Sequence, residues 1–254
     1  MNAIQAAADL LARARAGAAL PGLPPALRPA TMAAAEAIQH ETLLAMRERI
    51  GGWKIGRLEG MPFSAPIPAS RLLTDPLPGP ITLPAERYIE MELAIRFRVA
   101  VSPADVATLI PGDLTGLATL ATLFEFVRPR IPMSGDVTPL DRIADAMAND
   151  GALVRATLVP WTLTTLDMPP AVTLLQDGAV LSRREAGAHV AAPLGPLLEA
   201  WIARLRREGR GIGMGEVVTL GSLSGMPPIP GAGAGYFGEI EGLEALRCTV
   251  AAVS

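Results

Sequence analysis

Ile89-Glu90-Met91-Glu92-Leu93-Ala94-Ile95-Arg96-Phe97-Arg98-Val99 alternates large apolar residues with polar or small ones across residues 89–99. A period of two is the signature of extended backbone, whose successive side chains point to opposite faces. Ile89, Met91, Leu93, Ile95, Phe97 and Val99 therefore need a core to pack on. Glu90 and Glu92 share the other face with Ala94, Arg96 and Arg98. That spacing brings two carboxylates within reach of one ion. Taken alone, the pattern is better read as a solvated face with two acids and two bases, which is common on antiparallel sheets.

Downstream of this strand, Ser102-Pro103-Ala104-Asp105 combines an N-cap, a first-turn proline and a capping-box acid, and Thr138-Pro139-Leu140-Asp141 repeats the signal. The second is expected to start a helix reaching about Asn149, which would set Asp141, Asp145 and Asn149 on one face. Strands are expected over 152–159, 171–175 and 179–182, the last two joined by an Asp177-Gly178 hairpin turn. A helix over 197–208 closes at Gly209, and strands follow over 216–220 and 246–253. Upstream, helical patterns cover 3–18 and 31–49, separated by the proline-rich link 21–29 and stopped by Gly51-Gly52. Trp53-Lys54-Ile55 reads as a short strand, and 61–84 as loop with short strands. Helices first and strands later predict one α+β domain over 1–254, with a helical N-terminal portion, 1–50, ahead of the remainder, 51–254.

Composition narrows the function classes. The chain has 254 residues and a net charge of −3, which offers no bulk attraction to nucleic acid. No segment reaches the ~18 uninterrupted apolar residues of a membrane span, and the first nineteen residues lack the basic-then-apolar order of a secretory signal. A cytoplasmic protein without nucleic-acid or membrane partners is expected. The single cysteine, Cys248, excludes an internal disulfide or a multi-cysteine metal centre and reads as inert core. Gly231 to Gly235 has no following Lys-Ser/Thr and is no phosphate loop. His40 and His189 are isolated and receive no role, and Trp53, Trp161 and Trp201 read as packing residues. Of 22 basic residues, 21 are arginine and one, Lys54, is lysine. Survival of one lysine codon by chance and a need for a compact, deprotonatable ammonium explain this equally well.

Glu125 lies inside the apolar run 117–127, where a charge is costly unless paired or metal-bound. With Glu90 and Glu92 it would make a hard-oxygen site suited to Mg²⁺ or Mn²⁺. An ion pair with Arg128 or Arg130 would account for Glu125 as well.

Five motifs in order, Gly-Trp-Lys-Ile-Gly (52–56), Glu-Met-Glu (90–92), Phe-Glu-Phe-Val-Arg-Pro-Arg (124–130), Asp-Arg-Ile-Ala-Asp-Ala-Met-Ala-Asn (141–149) and Gly-Glu-Val-Val-Thr-Leu-Gly-Ser (215–222), carry a resemblance. Together they resemble the 2-keto-4-pentenoate hydratase and 4-oxalocrotonate decarboxylase family, within the fumarylacetoacetate hydrolase superfamily. The resemblance covers most of the chain and implies a fumarylacetoacetate hydrolase-like mixed β-roll core. It implies Mg²⁺ or Mn²⁺ on Glu90, Glu92 and Glu125, the family's lysine at Lys54 and its active-site aspartate at Asp75. Asp145 and Asn149 would support the site. Where the family has Asp-Ser-Arg and a late Thr-Gly pair, this chain has Arg128-Pro129-Arg130 and Leu220-Gly221, with the threonine displaced to Thr219. Leu220 and Gly221 would therefore touch substrate, and Arg130 would suit a second substrate carboxylate.

The implied activity is hydration of a 2-hydroxy-2,4-dienoate to a 4-hydroxy-2-oxo acid through a metal-stabilised enolate, in the late steps of aromatic ring fission. Decarboxylation of a 2-oxo-3-enedioate is the alternative within that chemistry. A non-catalytic partner subunit is the alternative outside it. An acylpyruvate-type hydrolase needs a water-activating base that the sequence does not place. The family also implies a homo-oligomer, with a paralogous decarboxylase or hydratase as a further partner.

Overall fold

The computed structural model describes residues 2–83 and 87–252. Pro84 and Val253, the last residues of the expected loop and of the expected final strand, lie outside the described residues. In chain order the elements are α1 (Ala3–Ala16), α2 (Met32–Ala45), β1 (Ile50–Leu58), β2 (Met61–Pro68), β3 (Leu72–Thr74), β4 (Tyr88–Phe97), α3 (Pro103–Val106), α4 (Leu114–Leu117) and β5 (Ala118–Val127). There follow α5 (Pro139–Ala144), β6 (Asn149–Thr157), α6 (Leu163–Asp167), β7 (Val172–Gln176), β8 (Ala179–Arg184), α7 (Gly195–Arg207), β9 (Val217–Ser222), β10 (Ala234–Ile240) and β11 (Leu246–Val250).

A seven-stranded mixed sheet runs β2-β1-β9-β4-β5-β6-β3, and a four-stranded sheet runs β11-β10-β7-β8. The alternating stretch is β4, near the middle of the larger sheet. Its apolar side chains join Trp53, Ile55, Phe124, Phe126 and Leu220 in the main core, beneath Trp201 of α7. The smaller sheet closes over that face where Gly238 leaves room: a Cβ there would lie 2.4 Å from the Met91 sulfur and 2.5 Å from the Phe124 ring. The other face is also covered, so β4 is buried on both sides from Ile89 to Ile95. The expectation of a solvated second face therefore fails.

Two further differences have local causes. Proline-rich 61–68 is a regular strand because β2 is the sheet edge. Pro62, Pro66 and Pro68 share parity, so their missing N–H groups all fall on the unpaired side. The helix expected to reach Asn149 stops at Ala144, and Ala146, Met147 and Ala148 all take left-handed φ, 51°, 50° and 61°. Asn149 is thus the first residue of β6 and does not share a helix face with Asp141 and Asp145.

At the N-terminus, Asn2 and Thr31 cap α1 and α2 by accepting the N–H groups of Gln5 and Ala34. Ala7, Leu11, Ala35 and Ile38 of these helices pack with Ile143 of α5 in a second core.

Candidate metal and active site

Register assembles the centre. Antiparallel pairing of β4 with β5 sets Glu90 directly across from Glu125, and Glu92 follows on the same face. One oxygen from each of the three carboxylates lies within 4.8 Å of the others. Parallel pairing of β1 with β9 puts Lys54 beside Thr219, and β9 in turn pairs Thr219 with Ala94 of β4. Cross-strand partners point the same way, so lysine and glutamates face one another.

The ammonium of Lys54 donates to Glu125 Oε1 at 2.9 Å and lies 3.5 Å from Glu90 Oε2. The side-chain amide of Asn149 donates to the same Glu125 oxygen at 2.9 Å. The arginine pairing that would have explained Glu125 is not made. Arg128 donates instead to the carbonyls of Ala14, Arg15 and Gly17 at the end of α1, and Arg130 turns to Asp145.

Glu92 is held by backbone. Across from Leu93, β9 carries an extra residue, so Glu92 faces Ser222 while Ala94 faces Thr219. This bulge includes Gly221 at φ +106°, a conformation glycine adopts freely, and its N–H donates to Glu92 Oε2 at 2.9 Å. Gly221 therefore reaches the site through its backbone. Leu220 does not: alternating with Thr219, its side chain joins Val218 in the main core, away from Lys54. Thr219, on the Lys54 side, carries a fully buried hydroxyl with no hydrogen-bond partner among the described residues. The alternation of β9 could have identified it.

Burial sets the electrostatics. It pushes the pKa of Glu92 well above the carboxylate range, and the neighbouring charges of Glu125 and Glu90 add to the shift. It raises Glu90 too, against the opposing pull of Lys54. For Lys54, burial acts to lower the pKa, but Glu125, Glu90 and Glu92 together outweigh it and the net shift is upward. The lysine is a cation. One ammonium leaves three carboxylates short of neutrality, and Glu92 Oε1 and Glu125 Oε2 are buried without partners among the described residues. Orphaned, converging, hard oxygens in an enclosed site fit a divalent cation such as Mg²⁺ or Mn²⁺.

The remaining expected residues divide. Asn149 touches the centre. Asp145 acts through Arg130, taking its Nε at 2.6 Å and its backbone N–H at 3.0 Å. Arg130 is fully enclosed, and its other nitrogens donate to the carbonyls of Arg128, Asp145, Ala148 and Asn149. The expectation that it meets a substrate carboxylate is corrected: its donors hold the left-handed turn that leads into Asn149. Asp75 is corrected as well. It pairs with Arg155 at 2.7 Å and lines a separate depression of about 590 Å³ with Tyr236, Arg247 and Cys248. The physical reason is that β3, which Asp75 follows, is the edge strand on the far side of the sheet, with four strands (β6, β5, β4 and β9) between it and β1, the strand of Lys54.

Lys54 and Glu90 open into a cavity of about 180 Å³ whose walls include Val127, Ile131, Met133, Met147 and Met226, with Arg142 and Asp145. His189, given no role from sequence, is buried against the bulge: its Cε1 lies 3.6 Å from where a Cβ on Gly221 would stand.

Comparison with known proteins agrees with the motif resemblance. Two curated proteins named 2-keto-4-pentenoate hydratase, from Paraburkholderia phymatum and Burkholderia vietnamiensis, are each 29% identical to this chain over 234 residues. The matches cover 87% of this chain and 86% of each relative. Among solved structures, 4-oxalocrotonate decarboxylase from Pseudomonas putida G7, complexed with magnesium and adipate, superposes with a TM-score of 0.70 at 18% identity over 96% of both chains. The 2-hydroxyhepta-2,4-diene-1,7-dioate isomerase of Mycobacterium marinum gives 0.52 at 16% identity, over 81% of this chain and 77% of that one. No family model matches the chain. The hydratase relatives indicate an enzyme of the hydratase type, and the decarboxylase neighbour shares its fold.

Proposed function

We propose that this chain is a metal-dependent lyase that hydrates a 2-hydroxy-2,4-dienoate of the 2-keto-4-pentenoate type to a 4-hydroxy-2-oxo acid. The observation that carries the reading is the enclosed cluster of Glu90, Glu92 and Glu125 with Lys54 against it. Glu90, Glu92 and Glu125 would hold Mg²⁺ or Mn²⁺, which would supply Lewis acidity to a 2-oxo acid substrate. The Gly221 N–H and the Asn149 amide orient Glu92 and Glu125. Lys54, kept protonated by its acidic neighbours, delivers a proton to carbon as the dienol ketonises, or balances the developing enolate charge. Water then adds across the remaining double bond. Asp75 pairs with Arg155 and is not among the residues lining this cavity.

Decarboxylation of a 2-oxo-3-enedioate is the second reading, favoured by the apolar walls of the cavity, which would desolvate a departing carboxylate. On either reading, residues 1–50 form a helical portion docked on a β-roll catalytic core, 51–254, within one domain. The protein then acts in the cytoplasm as a homo-oligomer on products of aromatic ring fission.

Thermal unfolding with EDTA, with Mg²⁺, and with Mg²⁺ plus oxalate tests the site, because oxalate mimics the chelating end of a 2-oxo acid enolate. A metal-dependent shift with oxalate, followed by loss of dienoate ultraviolet absorbance on turnover, is expected. No shift with either addition would sink the proposal in favour of a non-catalytic partner subunit.

A further inference from the structure

We infer that His189 is a positioning residue of the metal centre, acting on Glu92 through the backbone of Gly221. The inference rests on the metal-site reading above and adds to it the residue that steadies its backbone donor. The β9 bulge is supported unevenly. On the β4 side, contact resumes past Gly221, where the Leu223 N–H donates to the Met91 carbonyl at 2.8 Å and Ser224 Oγ accepts the Met91 N–H at 2.8 Å. On the β1 side the parallel register covers only 217–219, so the bulge lies beyond the last paired residue. A glycine with a strand on one side only is free to swing its N–H off Glu92.

His189 supplies the missing support. It is the only buried residue in 185–190, between the exposed Ala188 and Val190, so the loop turns this side chain alone inward. The loop is fastened to the end of α6: the His189 N–H donates to the Asp167 carbonyl at 2.7 Å, and Asp167 Oδ1 accepts the Leu194 N–H at 2.7 Å. The ring is fixed too. Its Nδ1 accepts the Ala191 N–H at 3.0 Å, which leaves the proton on Nε2. Burial pulls the pKa down, against the pull of the Gly221 backbone, so the ring is a neutral donor. Nε2 is buried with no aligned partner among the described residues, and the adjoining Cε1 is 3.6 Å from where a Cβ on Gly221 would stand. The Gly221 backbone is therefore the polar group that this N–H faces. Packing alone would call for leucine or methionine, because a buried N–H carries a desolvation cost that an apolar side chain avoids.

The test is Mn²⁺ titration of the full chain followed by electron paramagnetic resonance, with thermal unfolding of each metal-free variant as the measure of packing. His189→Met fills the space without a donor, and His189→Gln sets an amide N–H where Nε2 stands. His189→Met is expected to bind Mn²⁺ about tenfold or more weaker than wild type. His189→Gln should recover most of that loss, although both variants give up the bond to Ala191. In a Gly221→Ala background His189→Met should cost much less, because the two changes act through one contact. Should His189→Met fail to fold, His189→Asn takes its place: it keeps an acceptor for Ala191, falls short of Gly221, and should bind Mn²⁺ as weakly. Wild-type affinity in the donor-free variant, or full additivity with Gly221→Ala, overturns the inference while leaving the metal site standing. So does an equal loss in His189→Met and His189→Gln that follows a fall in Tm, since that is packing alone. Failure of wild type to bind Mn²⁺ overturns the reading of the site, and this inference with it.

Discussion

At the scale of the residue, Lys54 and Arg130 show how one charge type can serve two ends. Lys54 is a compact ammonium wedged among carboxylates, with its Nζ 2.9 Å from Glu125. Arginine keeps the charge but spreads it over a plane that cannot occupy the same point. Lys54→Arg is expected to fold, by circular dichroism, and to lose most turnover in a dienoate absorbance assay. Full activity would remove the lysine from the mechanism. Arg130 has a purely architectural geometry, enclosed and spent on Asp145 and four carbonyls. Arg130→Met strands Asp145 without its partner, and breaking a buried pair in this way costs about 3–5 kcal/mol. Urea unfolding should register that loss, whereas a direct substrate role would appear in KM with stability unchanged.

At the scale of the element, two irregularities make the site. The left-handed turn Ala146–Ala148 is a conformation that costs non-glycine residues about 1 kcal/mol or more each. It persists because Arg128 and Arg130 donate to the Ala148 carbonyl and Arg130 to that of Asp145. Its product is placement: Met147 lines the cavity, and Asn149 meets Glu125. The β9 bulge does the same for Glu92. A Cβ on Gly221 would find ordinary contact with His189, so the penalty of Gly221→Ala comes from its φ of +106°. The backbone should relax and carry the N–H away from Glu92. Removing such an outer contact typically weakens metal affinity about 10–100-fold. Titration with Mn²⁺ followed by electron paramagnetic resonance should show the drop, and wild-type affinity in the variant would relieve the bulge of this role.

At the scale of the whole molecule, the larger sheet has two unlike faces. One is the main core under α7 and the smaller sheet, and the other carries the glutamates beside the buried residues Ala94, Ala121, Leu123 and Val154. The acidic face is balanced partly by arginines behind it. Burial, with repulsion from Arg130, pulls the pKa of Arg15 down to about 9, and its guanidinium still donates to the Asn149 carbonyl at 3.1 Å. So α1 is tied to the residue that orients Glu125. Metal binding should consequently stabilise the fold broadly. A ligand at 100 times its Kd adds about 2.7 kcal/mol, roughly 5–10 °C in a domain of this size. EDTA should remove the gain as a single cooperative shift. A change confined to one spectroscopic probe would show that the site and the N-terminal helices are not coupled.

Local chemistry was legible in the residues alone. The period of two over 89–99, the cap at Thr138, the hairpin turn at Asp177-Gly178 and the buried charge at Glu125 are each decided within a few positions of the chain. The solitary Lys54 and the order of the motifs pointed to one chemistry. Tertiary structure alone decided which residues meet. Strand register set Glu90 opposite Glu125 and Thr219 beside Lys54, and a bulge brought the Gly221 N–H to Glu92. Edge position made a strand of three prolines, and a left-handed turn ended a helix five residues early. Arg130 and Arg142 carry the same charge in the sequence, and they differ only in what lies around them. The physical reason is common to all of these. Periodicity and capping act through neighbours along the backbone, whereas register, bulges and ion pairing depend on partners brought from distant segments.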